Sequence, residues 1–573
     1  MKALRKYSLG CLMVWGWTMF LFESSAQDLE AIGKSEPLKI NGGLSITQIA
    51  YGASGITNRR DPFSYFLSGN LNVNFFGINV PLSFTYSDQN SSFQQPFNQF
   101  GIAPRYKWLT GYLGYNSLTY SQYTLNGHIF LGMGLEAKPA EKWSFGGMYG
   151  RLLKAVPLDT LSEGLGETPT FQRMGYGFNA RYGDNSNHVQ LILFHAEDDI
   201  NSLPFVPEQV NVLPEENLVL SVRAVKTIAK RLSLQGEFAT SAITRDTRAE
   251  TFEPGNIFNF TDLLFTSRTS SSYYNAFNFG ANYRLDKYAF GMKYERVDPG
   301  YRTHGAYFFN NDLENITANV AARLFKDAVN VAISAGTQQN NLENNEINDT
   351  RRWIGSVNCN ANLSNNLSIN ASYSTFRTFM VVRSDFEQVN QLTPFDNLDT
   401  LNFTQISQNA NLNTSYIFGK GDKNRQLINV NLSYQGSTDD QGEVDMSKSN
   451  FYNLNTAYNL NLLTSGLSLT AALNANRNET ATIDSYTLGS TLGINKSLFN
   501  RRVRTTLSGS FNQSYVDDTL TNEILTLRGG VNYATKSKHN FNLNMILLNN
   551  KTENTESPDF TEYTATLTYN YNF

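Results

Sequence analysis

The chain has 573 residues, with 46 basic and 50 acidic side chains, a formal net charge of -4 and two cysteines. That balance argues against nucleic acid as a partner, and Cys359, left alone once Cys11 departs with a leader, supports neither a disulfide framework nor a cysteine metal site. A mean hydropathy of -0.36 beside 13% aromatic residues excludes a bundle of apolar helices and suits a wall in which every second residue meets water.

At the N-terminus, Lys2, Arg5 and Lys6 precede an apolar run from Cys11 to Phe22, and Ser24-Ser25-Ala26 offers a cleavage site before Gln27. Residues 1–26 read as a secretory signal peptide. Ser8-Leu9-Gly10-Cys11 mimics a lipoprotein box, but cleavage there leaves the apolar run on the mature chain. No later stretch of about 18 apolar residues exists to span a bilayer as a helix. Residues 27–39 form a short periplasmic segment, too little for a globular plug, and 40–573 keep one texture as a single domain.

The first informative block runs from His128 to Lys138. Ile129, Leu131, Met133 and Leu135 make an apolar face, while Phe130, Gly132 and Gly134 lie opposite and the next strand adds Gly146 and Gly150. Glycine in a strand marks close backbone approach, so this patch either seats an infolded loop or the N-terminal segment, or relieves curvature at bulges. Across Phe97 to Val156, including Phe97-Asn98-Gln99-Phe100-Gly101-Ile102 and Phe145-Gly146-Gly147-Met148-Tyr149-Gly150-Arg151, the chain resembles large uncharacterised outer-membrane barrels of Bacteroidota. The resemblance implies a compartment and a fold, and no catalytic residues.

Candidate chemistry is sparse. Gly175-Tyr176-Gly177-Phe178-Asn179-Ala180 has dinucleotide-binding spacing but sits in alternating strand sequence with no helix to receive a phosphate. The histidines His128, His188, His195, His304 and His539 are scattered, so no metal and no cofactor are expected. Glu197-Asp198-Asp199 and Asp439 to Asp445 offer oxygen clusters of the kind that suits surface Ca²⁺, but read rather as solvated loop carboxylates, since neither has EF-hand spacing. No catalytic constellation is visible, and the chain does not read as an enzyme.

Hairpins dominate the rest. About the turn Asp286-Lys287, Leu285 faces Tyr288, Tyr283 faces Phe290, Ala281 faces Met292 and Phe279 faces Tyr294, all apolar, while Asn278, Gly280, Asn282 and Arg284 meet Ala289, Gly291, Lys293 and Glu295. In Leu218 to Thr240 the same logic sends Leu218, Leu220, Val222, Leu232, Leu234 and Phe238 to lipid and brings Arg223 and Glu237 together inside. Arg223, Glu237, Lys293 and Glu295, with Gly132, Gly134, Gly146 and Gly150, are the lumen-lining candidates. Short turns and long loops alternate strictly along the sequence, which puts turns in the periplasm and loops such as Asn90 to Gln99, Pro157 to Thr170, Arg245 to Thr269 and Tyr301 to Asn311 outside. The count is roughly 26 antiparallel strands (range about 22 to 26), with Ile102 to Leu109 and Tyr112 to Leu118 short for a tilted span.

The last segment, Tyr563 to Phe573, alternates without a break and ends on an aromatic. Leu567, Tyr569, Tyr571 and Phe573 resemble the terminal signal by which bacterial barrels are recognised for insertion, which implies the barrel-assembly machinery as a partner and outer-membrane lipid as surroundings. The expected fold is all-β: one large transmembrane up-and-down barrel. Some 26 strands about 4.8 Å apart close at a diameter of roughly 50 Å, too wide to stand open, so infolded loops or a plug or periplasmic partner protein must fill it. Two functions follow: a wide, occluded conduit for a large solute or polypeptide, or a non-conducting surface scaffold whose long loops hold a ligand or partner.

Overall fold

The computed structural model describes residues 38–573 except 77, 89–98, 158–168, 204–211, 252–263, 341, 344–350, 376–377, 382–402, 407, 420–422, 438–448, 481, 536–537 and 554–557. The proposed leader, residues 27–37 of the N-terminal segment and the acidic run 439–445 lie outside the described residues, while Leu38 and Lys39 belong to the first strand. The wall is built from Leu38–Ser54 (β1), Phe63–Phe75 (β2), Ile78–Ser87 (β3), the pair Gln99–Ile102 and Arg105–Tyr106 (β4, in two pieces), Leu109–Thr119 (β5), Asn126–Ala140 (β6), Trp143–Leu153 (β7), Gln172–Gly183 (β8) and Asn187–Asp199 (β9). It continues through Glu216–Ile228 (β10), Leu232–Thr244 (β11), Ser271–Arg284 (β12), Tyr288–Val297 (β13), Leu313–Leu324 (β14), Val329–Gln339 (β15), Arg351–Asn362 (β16), Leu367–Ser374 (β17) and Gln408–Phe418 (β18). Asn424–Ser437 (β19), Ser449–Leu462 (β20), Leu467–Thr480 (β21), Asp484–Leu498 (β22), Val503–Val516 (β23), Thr519–Ala534 (β24), His539–Thr552 (β25) and Phe560–Asn572 (β26) complete it.

Each strand pairs antiparallel with its neighbours, and β26 returns to β1 with Gly43 opposite Asn572 and Ser54 opposite Thr561. The result is a closed 26-strand barrel without a sheet edge, which is how a strand wall satisfies its backbone in hydrocarbon. The break in β4 follows from Pro104, which has no N–H to give the ladder; its carbonyl instead accepts from Gly111 N at 2.8 Å.

Side chains sort by parity. Tyr283 faces Phe290, Ala281 faces Met292 and Phe279 faces Tyr294 across the β12–β13 hairpin, and Phe279, Tyr283, Phe290 and Met292 are exposed on the outer face. Trp108, Trp143, Tyr182, Phe325 and Phe499 are exposed near the short-turn end, the place of an interfacial aromatic girdle. Three expectations are corrected. Glu197-Asp198-Asp199 is not a solvated loop: it ends β9, and Asp198 is buried against Arg173. The loop end also carries short connections, 481–483 and 517–518, so length does not alternate strictly. Leu218 is buried, because Phe265 from the 245–270 connection packs over the outer face there.

Candidate functional site

Two connections turn inward from the loop end. Residues 120–125 link β5 to β6, residues 298–312 link β13 to β14, and they meet each other against the inner wall between. Tyr301 Oη donates to Tyr123 O at 2.8 Å, Thr303 Oγ1 donates to Thr124 O at 2.8 Å, and Asn126 N donates to Gly305 O at 2.7 Å. Segments from strands eight places apart can join this way only across the concave side. Their aromatic side chains complete a buried cluster with Phe130, Met148, Leu152, Phe194, Val219, Ala239, Ala276 and Val297, drawn from β6 through β13. A barrel this wide has no core of its own; here the inturned loops supply one.

The wall that receives them is cut back. Following register partners, Gly101, Gly114, Gly132, Gly150 and Gly175 stand in one row over five consecutive strands, and Ala196 and Asn217 continue it. The glycines divide by what they face. A Cβ on Gly132 would lie 2.1 Å from Tyr149 O, a backbone clash that belongs to curvature. On Gly146 it would lie 3.3 Å from the Tyr120 ring, and on Gly177 3.0 Å from the same ring, so these two make room for an inturned aromatic. A Cβ on Gly134 would lie 3.3 Å from both Gly147 O and Leu118, and one on Gly150 2.8 Å from Leu131 O and 2.9 Å from the Phe130 ring.

Polar anchors hold the loops in place. Glu295 accepts from Tyr123 Oη at 2.7 Å, from Gln122 Nε2 at 2.8 Å and from Lys293 Nζ at 2.9 Å. Arg223 and Glu237 are register partners on the inner face, but the Glu237 carboxylate takes its hydrogen bond from Ser221 Oγ at 2.8 Å. Together with Gln122, Asn278 and Lys293 they line a polar cavity of about 150 Å³. Nearer the mouth, Arg173 binds Asp198 at 2.7 Å and Glu215 at 3.1 Å, and Glu215 lies 3.4 Å from both Arg302 and His304. His304 N donates to Asn217 Oδ1 at 3.0 Å. His195 sits on the opposite, outward face, stacked on Tyr176 and 3.1 Å from Glu216.

Burial raises the Tyr301 phenol well above its ordinary value. It also holds His304 well below 6.5, with the Arg173 and Arg302 guanidinium groups pushing the same way. Glu215 is already shared by those two cations and so recruits no proton onto the imidazole. A depressed folded value means that the released loop binds a proton which the docked loop refuses. Docking is therefore at full strength above about 6.5 and weakens as pH falls below it toward the folded value. Relative to its intrinsic rate at each pH, hydrogen exchange across 298–312 is expected to be less protected at pH 5 than at pH 8, with His304→Gln protected alike at both. Equal protection of the native loop at the two pH values would contradict this.

The opposite arc differs in kind. Register partners from β15 to β23 run Asn330, Asn360, Asn370, Asn413, Asn431, Asn455, Asn474, Gly489 and Asn512. The row shares the inner face with Glu295 by continuity of register through Asn319 and Ser334. It starts beside the short-turn end of β15 and reaches the upper part of β23, because strands tilt and rows perpendicular to them climb the wall. At Gly489 the missing Cβ lets the flanking amides meet, and Asn474 Nδ2 reaches Asn512 Oδ1 at 3.4 Å.

No protein-family model matches the chain, and no curated protein matches it. Among solved structures it is similar to the P pilus usher (PapC) translocation pore, at 11% identity and TM-score 0.36 over 93% of this chain and 99% of that one. It is also similar to a mutant of the ferric enterobactin receptor PfeA of Pseudomonas aeruginosa, at 10% identity and TM-score 0.40 over 93% of this chain and 80% of that one. The FrpB iron transporter from Neisseria meningitidis is a third, at 9% identity and TM-score 0.36 over 96% of this chain and 83% of that one. The barrel assignment rests on the closed register of this chain itself.

Of the lumen-lining candidates, Gly132, Gly134, Gly146, Gly150, Arg223, Glu237, Lys293 and Glu295 fall on inward rows of β6, β7, β10, β11 and β13. Leu567, Tyr569 and Tyr571 lie on the outward row of β26, and Phe573 N donates to Gly42 O at 2.9 Å. Pro157 to Thr170 lies largely outside the described residues. The unforeseen contributor is 120–125. Its signal in the sequence was the pair Tyr120 and Tyr123 opposite a glycine-rich inner face.

Proposed function

We propose that this protein is an outer-membrane conduit for a large solute, held shut in part by the paired loops 120–125 and 298–312. What supports this reading is the lumen itself: one arc of the inner wall, spanned by ten of the strands, is covered by a packed aromatic latch, while the arc from β15 to β23 keeps a polar row. A scaffold that only displayed loops could do so on far fewer strands. Insertion by the barrel-assembly machinery through Leu567, Tyr569, Tyr571 and Phe573 belongs to the same reading, as does a periplasmic partner completing closure. On it, residues 1–26 direct export, the short turns face the periplasm and the long loops face outward.

The test replaces 299–311 by a short Gly-Ser linker and compares single-channel currents in planar bilayers. The native barrel is expected to be nearly silent and the replaced one to show large, long-lived steps. Silence of both, with each barrel shown folded by its heat-modifiable gel mobility, would favour the non-conducting scaffold.

A further inference from the structure

We infer that the asparagine row is a track for a neutral, hydroxyl-rich chain, an oligosaccharide, moving along the wall the latch leaves uncovered; this rests on the conduit reading. Charge is the first ground. The inward rows of β17, β18, β20, β21 and β22 contain no charged residue, and that of β19 contains only Arg425 at its short-turn end. The latch arc holds Arg173, Asp198, Glu237, Lys293 and Glu295. A path for a polyanion or polycation would be expected to line itself with counter-charge, which focuses and steers such solutes.

Hydrogen-bond capacity is the second ground. Each side-chain amide both donates and accepts, matching a hydroxyl, which does the same. The wall beside the row is not internally satisfied: Asn453, in the adjacent row, is 4% exposed and gives its amide N–H to Asn476, yet its Oδ1 has no partner. Buried acceptors without partners are costly unless something supplies a donor.

Spacing is the third ground. Neighbouring amides along the row repeat at about the inter-strand distance of 4.8 Å, whereas an extended polypeptide advances about 3.3 Å per residue. The row is in step with successive pyranose units and out of step with successive peptides.

The experiment uses the full chain carrying the 299–311 linker, reconstituted in planar bilayers and titrated with maltohexaose, with dextran sulfate, and with an unfolded Gly-Ser peptide of similar length. Maltohexaose is expected to interrupt the current, the other two far less. The triple change Asn431→Leu, Asn455→Leu and Asn474→Leu is expected to weaken that block at least about tenfold, the scale of one to three lost hydrogen bonds. Should the leucine triple fail to assemble, valine at the same positions keeps strand preference while removing both the donor and the acceptor. Block that survives either triple reduces the row to a structural ladder and overturns the track. Equal block by the peptide assigns the lumen to polypeptide instead. A linker variant that never conducts removes the conduit reading and the track with it, an outcome distinct from a conducting barrel indifferent to sugar.

Discussion

Gly305→Val is expected to leave the barrel assembled and yet release the latch. A Cβ at position 305 would lie 2.5 Å from Thr124 O and 2.8 Å from Leu125 Cα. Both are backbone atoms of the partner loop, so no side-chain rotation relieves the clash and the segments must separate. Separation breaks the hydrogen bonds from Tyr301 Oη, Thr303 Oγ1 and Asn126 N, each of which contributes about 1 kcal/mol net. It also uncovers Tyr301, which is fully buried, at a loss of about 2 to 3 kcal/mol. A shift of several kcal/mol moves a two-state equilibrium by factors of a hundred or more. No register pair of the wall includes Gly305, so heat-modifiable mobility should be native. Faster exchange at the Asn126 amide, together with a rise in open probability of at least about tenfold, would show that the loop contact is the barrier. Released loops with no new current would show that it is not.

The sequence made the wall legible because dyad alternation is a local signal. Tyr283 opposite Phe290 about the turn Asp286-Lys287, and Arg223 opposite Glu237, could be read from symmetry around one hairpin, and both pairs stand in the observed register. The turns at Lys230, Lys326-Asp327 and Asn500-Arg501 were equally plain, and all of these residues have positive φ. The latch was hidden for the converse reason. Tyr120-Ser121-Gln122-Tyr123-Thr124-Leu125 has no glycine or proline and mixes aromatic with polar residues, so nothing local marks an inward turn; it leaves the ladder because its aromatics find an apolar surface inside the lumen. Its partner, 298–312, looked like any polar loop, since Tyr301, Thr303 and His304 gain their meaning only from a surface assembled by ten strands. The asparagine row is illegible for the same reason. Its members are separated by 10 to 43 residues in sequence and become neighbours only once every register is fixed.

Truncation at the C-terminus should obey strand parity more than length. Both β1 and β25 run from the short-turn end to the loop end, and β26, running the other way, bridges them antiparallel. Deleting Phe560–Phe573 leaves two same-direction strands facing each other in a wall whose every other pairing is antiparallel. The register of unpaired N–H and C=O groups on both edges then meets hydrocarbon, at several kcal/mol for each group left without a partner. No heat-modifiable barrel is expected, and the chain should be lost to proteolysis. Removing the whole last hairpin, by ending the chain at Tyr533, is the larger deletion and the milder one. It brings β24, which runs toward the short-turn end, beside β1 in the antiparallel sense, and it leaves Leu527, Val531 and Tyr533 on an outward row that finishes on an aromatic. A 24-strand barrel is therefore expected in the membrane fraction from the longer truncation and none from the shorter. If the shorter truncation assembles as well as the longer, closure does not depend on strand direction and the insertion signal is not the terminal aromatic.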